Sequence, residues 1–163
     1  MAETKMELRA FEKEDYEALI HWIDSEQLNY QWGGPNFNFP LDHQQISLHC
    51  AKPEVFPFML VCDGKQAGYV ELFKESQSQF RICRVFVSND FRGKGLSKVM
   101  LTQLIELSQT QYHAQVLSLA VFERNTVAKN CYESLGFEVT SRESGERSFD
   151  GEIWDLLFME KRF

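Results

Sequence analysis

Apolar positions recur along the chain with two periods, one helical and one typical of strands. Tyr16, Leu19, Ile20 and Ile23 share one helix face, because residues three and four apart lie on the same side of a helix. Short apolar runs between turn residues predict strands. The predicted helices are one that begins at Glu12–Asp15 and the segments Leu41–Ala51, Lys94–Gln109 and Asn125–Leu135. The predicted strands are Met6–Phe11, Val55–Cys62, Gln66–Lys74, Gln79–Ser88, Val116–Phe122, Phe137–Ser141 and Ile153–Met159.

Turn residues mark the connections between these predicted elements. Asp63-Gly64 predicts a two-residue hairpin, and Asp150-Gly151 predicts a turn into the last strand. Asn29–Pro40 contains Gly-Gly-Pro and a second proline, which predicts an irregular segment. The resulting order, β-α-α-β-β-β-α-β-α-β-β, predicts an α+β fold with a mixed, mostly antiparallel sheet flanked by helices. At 163 residues we expect a single domain spanning 1–163.

Composition narrows the classes of function. The chain is 44% apolar and 13% aromatic, which predicts a folded core. Its formal net charge of −7 disfavours a nucleic-acid partner. No apolar run is long enough to span a membrane and the first residues lack a signal-peptide core, so we expect a cytoplasmic protein without membrane contacts. Cys50, Cys62, Cys83 and Cys131 form no C-x-x-C pair, which favours free thiols in a reducing compartment.

The segment Val85–Lys98 has the features of a phosphate-binding loop. A strand leads into Gly93 and Gly95, and a helix follows at once, so its first N–H groups can face an anion. Arg92, Lys94 and Lys98 add positive charge. The glycine spacing fits neither a P-loop nor a dinucleotide fingerprint. The alternative is a glycine-tolerant turn that carries solvated lysines.

The same loop resembles a known family. Arg92–Ser97, RGKGLS, is similar to the acetyl-CoA motif of the GNAT superfamily, Q/R-x-x-G-x-G/A, with Ser97 in the last position. The resemblance implies the GNAT fold and a pantetheine arm bound along the preceding strand. The cofactor-binding residues that it implies are Val85, Phe86, Val87, Arg92, Gly93, Lys94, Gly95, Leu96, Ser97, Lys98 and Asn125.

A second motif lies farther along the chain. Asn125, Ala128, Tyr132, Gly136 and Phe137 resemble the GNAT pattern N-x-x-A-x-x-x-Y-x-x-x-G-F. The resemblance implies that the Asn contacts the cofactor and that the Tyr is the catalytic acid beside its sulfur. The alternative is a helix face that only packs into the core. Two motifs in the expected order favour the family.

The resemblance implies an enzyme that transfers acetyl from acetyl-CoA to a primary amine by direct attack, without a metal. The alternative is a non-catalytic acyl-CoA sensor or interaction module. The acceptor is a small-molecule or protein amine, and the sequence leaves open whether the chain forms a homodimer. The general base is unassigned, since Ala120 stands where some relatives carry a glutamate.

Two further residues are candidates for the acceptor site. Trp32 either lines a substrate pocket or closes the edge of the core. Glu71 is either a partly buried carboxylate of raised pKa or, as the pattern favours, a solvated residue on the open sheet face. His43, His49 and Cys50 match no standard metal-site spacing, which favours scattered polar histidines.

Overall fold

A seven-stranded sheet organises the chain, in a computed structural model that describes residues 5–93, 95–145 and 148–163. Its strands are β1 Met6–Ala10, β2 Val55–Cys62, β3 Lys65–Lys74, β4 Gln79–Val87, β5 Val116–Phe122, β6 Glu138–Glu143 and β9 Leu156–Arg162. Two short strands, β7 Ser148–Phe149 and β8 Glu152–Ile153, pair with each other. The helices are α1 Tyr16–Trp22, α2 Glu26–Gly33, α3 His43–Cys50, α4 Leu96–Thr110 and α5 Thr126–Ser134.

The strand order is β1-β2-β3-β4-β5-β9-β6. Between the described strands of this sheet, the pairing of β4 with β5 is parallel and every other pairing is antiparallel. The prediction of an α+β fold with a mixed, mostly antiparallel sheet is therefore confirmed. None of the described helices has the length and apolar composition needed to cross a bilayer.

The sheet opens between β4 and β5. Their pairing runs from Gln79 opposite Val116 to Ile82 opposite Leu119, whereas β4 continues to Val87. Just past the last pair, the register between β3 and β4 shifts, and Arg84 has a φ of 54° in the left-handed region. Such a shift marks a β-bulge, which bends the strand that carries it. The carboxyl halves of β4 and β5 thus border a gap.

Apolar side chains cover both faces of the sheet. Neighbours such as Tyr69 and Val70 belong to different apolar clusters, since successive strand residues point to opposite faces. One cluster packs Met100 and Leu104 of α4 against the sheet, and both are fully buried. The other joins residues of α1, α2 and α3 to Tyr69 and Phe86. Helices therefore pack against both faces of the sheet that contains the gap.

Two predicted elements are wrong. The segment predicted to be irregular from Asn29 begins inside helix α2, where the Ser25 hydroxyl accepts from the Leu28 N–H at 3.1 Å and caps the helix. The last strand is Leu156–Arg162 instead of Ile153–Met159, and Asp150-Gly151 joins the short strands β7 and β8. The carboxylate of Asp155 accepts hydrogen bonds just before β9, which delays the start of that strand.

Candidate active site

Two cavities meet beside the first turn of α5. The loop cavity, of about 570 Å³, is bounded by β4, the residues 91–93 and 95–98, α4 and α5. The cleft cavity, of about 240 Å³, lies between the carboxyl halves of β4 and β5 and the segment 31–36. Their shared walls are formed by Gln31, Trp32, Val85, Asn125 and Tyr132. The two cavities therefore lie side by side.

The glycine loop shapes one end of the loop cavity. Gly93 and Gly95 have φ values of 77° and 73°, a region that glycine adopts at little cost. Gly95 precedes α4, whose first internal hydrogen bond runs from the Val99 N–H to the Gly95 carbonyl at 3.3 Å. The N–H groups before Val99 therefore have no partner within the helix and can bind an anion, which the helix dipole also favours.

Cationic side chains border this loop in different ways. The Nε of Arg92 donates to the Val87 carbonyl at 2.9 Å, and its guanidinium lies 5.1 Å from the centre of the Phe86 ring. Arg92 is thus anchored to the wall of β4. Lys98 is exposed on the first turn of α4 and lines the cavity. Lys94 lies outside the described residues.

The edge of β4 faces the loop cavity where β5 has turned away. Val85, Phe86 and Val87 line the cavity, and they follow the last residue of β4 that pairs with β5. On the opposite edge Phe86 and Val87 remain paired with β3. A strand edge of this kind offers backbone groups to an extended ligand, as in strand addition.

Asn125 stands at the start of α5. Its side-chain oxygen accepts from the Ala128 N–H at 3.3 Å, the geometry of an N-cap. Asn125 therefore caps the start of α5 and also lines both cavities.

Tyr132 lies at the junction of the cavities and is 7% exposed. Its ring packs edge-on against Phe137, with 6.2 Å between the ring centres. Burial raises the pKa of Tyr132 well above its ordinary value, and the neighbouring thiols of Cys131 and Cys83 act in the same direction. The phenol is therefore protonated at neutral pH, as a proton donor must be.

The structure contradicts both sequence interpretations of Glu71. The side chain is fully buried, and its carboxylate accepts from the phenol of Tyr69 and lies 2.9 Å from both His49 Nε2 and Arg84 Nη1. Burial acts to raise the pKa, but the hydrogen bond with His49 and the charge of Arg84 outweigh it, so the pKa of Glu71 is lowered. Glu71 is not one of the residues that line the two cavities.

Arg84 and Trp32 connect this buried network to the cleft cavity. Trp32 Nε1 donates to the Arg84 carbonyl at 2.9 Å and so stabilises the bulge of β4. The guanidinium of Arg84 lies 5.4 Å from the centre of the Phe37 ring. Trp32 is 7% exposed, packs into the core and lines both cavities, so its two sequence interpretations are compatible.

The sequence interpretation missed several residues of the site. Arg81 and Arg84 of β4 line the cleft cavity, and Leu28 and Gln31 of α2 line the loop cavity. Two arginines in the otherwise apolar run QFRICRVFV were the available signal for the first pair. The second pair could not be placed because α2 was not predicted.

The remaining reactive side chains are inert in this setting. Burial raises the pKa of the Cys83 thiol to about 11 and also raises that of Cys131, so neither is a ready nucleophile. All four cysteines are free. His49 is buried against Glu71 instead of being a scattered polar histidine. In the described parts of the chain, no three His, Cys, Asp or Glu side chains are placed to hold a metal ion.

The chain is similar in sequence to polyamine acetyltransferases. It is 26% identical over 157 residues to the spermidine N(1)-acetyltransferase of Escherichia coli, covering 94% of this chain and 84% of that protein. It is 36% identical over 69 residues to the spermine/spermidine N(1)-acetyltransferase of Bacillus subtilis, covering 42% and 43% of the two chains.

Solved structures share the fold. The spermidine N-acetyltransferase of Vibrio cholerae, in complex with CoA and spermine, superimposes with a TM-score of 0.84 at 19% identity, over 96% of this chain and 95% of that one. A putative acetyltransferase from Salmonella typhimurium with its cofactor acetyl-CoA gives a TM-score of 0.76 at 19% identity, over 97% and 94%.

The family model described as "Acetyltransferase (GNAT) family" matches residues 10–137, which include the glycine loop and α5. Acetyl transfer from acetyl-CoA to an amine follows from that membership, and a non-catalytic module is not favoured. The chain belongs to the acetyltransferase (GNAT) family.

Proposed function

We propose that the loop cavity binds acetyl-CoA and that the cleft cavity binds the acceptor amine. The observation that carries this proposal is the shared wall of the two cavities at Val85, Asn125 and Tyr132. The first turn of α4 would hold the pyrophosphate. The edge of β4 would hold the pantetheine arm and direct the thioester toward Tyr132.

The acceptor is a small-molecule amine. The Escherichia coli and Bacillus subtilis relatives are named for spermidine or spermine, which are small-molecule amines. The cleft cavity, at about 240 Å³, has room for a small amine. The wall that it shares with the loop cavity supports direct transfer between two bound substrates.

The proposed reaction is one direct displacement. The neutral amine attacks the thioester carbonyl, a C–N bond forms, and the C–S bond breaks as the tetrahedral intermediate collapses. Tyr132 donates its proton to the departing sulfur, and the nitrogen releases a proton to water. Tyr132 is protonated at neutral pH, and the phenolate that remains recovers a proton from solvent.

The acceptor must lose its own proton first, because an alkylamine with a pKa of about 10.4 is mostly charged at neutral pH. Among the described residues that line the cleft cavity, none is Asp, Glu or His, so no conventional base faces the amine. Arg81 and Arg84 line it instead. A nearby positive charge lowers the pKa of a bound amine, and the arginines therefore favour its neutral form.

The proposal is tested by measuring thiol release from acetyl-CoA with a panel of small amines and a lysine-containing peptide. Calorimetry with CoA measures cofactor binding separately. We expect CoA to bind and at least one small amine to accelerate thiol release, with little effect of the peptide. Binding of CoA without transfer to any amine would instead support the sensor alternative.

We further propose that the chain acts as one domain in the cytoplasm, either alone or as a homodimer, without a nucleic-acid or membrane partner. Its four free cysteines support a reducing compartment. Gel filtration coupled to light scattering would decide the assembly.

A further inference from the structure

The cleft cavity carries positive charge where a polyamine would require negative charge. Its charged lining residues are Arg81 and Arg84, and no Asp or Glu occurs among the lining residues that the structure describes. A polyamine is charged at each of its nitrogens at neutral pH, so the part not being acetylated would lie near like charge. The composition of this wall suits a different class of amine.

Arg84 holds its guanidinium in a fixed position, ion-paired with the Glu71 carboxylate at 2.9 Å. Its side chain is 10% exposed, and Glu71, the Phe37 ring and the Trp32 indole hold its guanidinium and backbone in place. Its Nε is buried and has no hydrogen-bond partner within the described chain. This nitrogen has no accessible surface, so a carboxylate in the cleft must reach another N–H of the guanidinium.

Arg81 adds a second, more exposed guanidinium at the same cavity, in a loose ion pair with Glu75. Its side chain is 43% exposed and lies 3.6 Å from the carboxylate of Glu75, a distance longer than a hydrogen bond. Arg81 can therefore turn toward a ligand without breaking a buried contact.

Resting on the proposed function, we propose that the acceptor is a small primary amine that also carries a carboxylate. The carboxylate binds at Arg84 and Arg81, and the amine points toward Tyr132 and the thioester. The two arginines hold the carboxylate end, so this wall orients the acceptor with its amine toward the thioester. In this respect the acceptor differs from those of the polyamine-acetylating relatives.

Three amines of equal chain length test the inference: 5-aminopentanoate, pentylamine and 1,5-diaminopentane. We expect kcat/KM to fall in that order, with about 10- to 100-fold between the carboxylate and the diamine, as charge-assisted hydrogen bonds are gained or lost. Calorimetry of each amine with the CoA-bound protein should give the same order of affinity. Equal or tighter binding of the diamine, or no binding of the carboxylate, would overturn the inference.

Variants locate the effect. Arg81→Gln should raise the KM for 5-aminopentanoate about 10-fold more than it raises that for pentylamine. The double variant Glu71→Gln/Arg84→Gln removes Arg84 without stranding a buried charge, and it should act in the same way. Arg162→Gln is the matched control, because Arg162 lies at the exposed end of β9. Unchanged selectivity in both arginine variants would contradict the inference.

These experiments separate the inference from the proposed function. If CoA binds and pentylamine is acetylated but the carboxylate gives no advantage, the acceptor class is wrong and the transferase assignment stands. If CoA binds and no amine is acetylated, the proposed function itself fails.

Discussion

The loop cavity and the cleft cavity are built by different means. In the function proposed above, the anion site of the loop cavity is formed by backbone groups at Gly93, Gly95 and the first turn of α4. The cleft cavity is assembled from residues far apart in the sequence, such as Trp32 and Arg84, which are joined by a hydrogen bond from the Trp32 indole to the Arg84 carbonyl. A common cofactor can be held by a short local motif, whereas acceptor choice depends on tertiary contacts.

The largest expected effect tests how far the cleft depends on its buried network. Glu71→Gln replaces a fully buried carboxylate and leaves Arg84 without its ionic partner. Breaking a buried pair typically costs about 3–5 kcal/mol, so we expect a loss of that size in the free energy of unfolding. Chemical denaturation measures it at pH 7.

The pH dependence of that loss gives a control. Because the pKa of Glu71 in the folded protein is below its ordinary value of 4.5, its contribution is complete above that value and is lost as the pH falls through the lowered pKa. The stabilities of the wild type and Glu71→Gln should therefore converge below pH 4.5. A difference that stays constant with pH would contradict an ionised Glu71.

The next effect concerns the junction of the cavities. Tyr132→Phe keeps the ring that packs on Phe137 and removes only the hydroxyl. General acid catalysis contributes about 100- to 10,000-fold, and a thiol leaves readily, so we expect kcat to fall by about 100-fold. CoA affinity should stay the same in calorimetry. An equal loss of CoA affinity would make Tyr132 a binding residue.

A smaller effect should be confined to the loop cavity. Gly95→Asp brings a carboxylate to the start of α4, where the helix dipole favours the anionic pyrophosphate. Gly95→Asn is the matched control, since both side chains tolerate a positive φ comparatively well. Among the described residues other than the chain neighbours, no heavy atom lies within 4 Å of an added Cβ. We expect CoA affinity to be about 10-fold lower in the Asp variant than in the Asn variant. Equal affinities would contradict an anion site at Gly95.

The same difference between local motifs and tertiary contacts explains which features could be predicted from the sequence. The fold class and the α4 and α5 segments carried local signals, namely periodicity and the spacing of Gly93, Asn125 and Tyr132. The structure brings these three residues to the same cavity walls. Glu71 resisted interpretation because its neighbours in the strand are apolar while its partners, His49 and Arg84, come from other elements. No local pattern encodes a carboxylate satisfied by distant groups.

The smallest expected effect concerns the exposed charge of Lys98 and its contribution to CoA binding in the loop cavity. Lys98 is exposed on the first turn of α4, so its attraction to a bound phosphate is partly screened by water and salt. Exposed ion pairs are worth about 0.2–1 kcal/mol, and Lys98→Gln should therefore weaken CoA binding by only about two- to fivefold at low salt. The difference should vanish near 1 M salt, where the screening length is about 3 Å.

Lys129→Gln is the control, because Lys129 pairs with Glu133 on α5 and its replacement should leave CoA affinity unchanged. A loss for Lys98→Gln that persists in high salt would mean that Lys98 makes a direct, desolvated contact, and the loop cavity would then share the dependence on side chains that distinguishes the cleft.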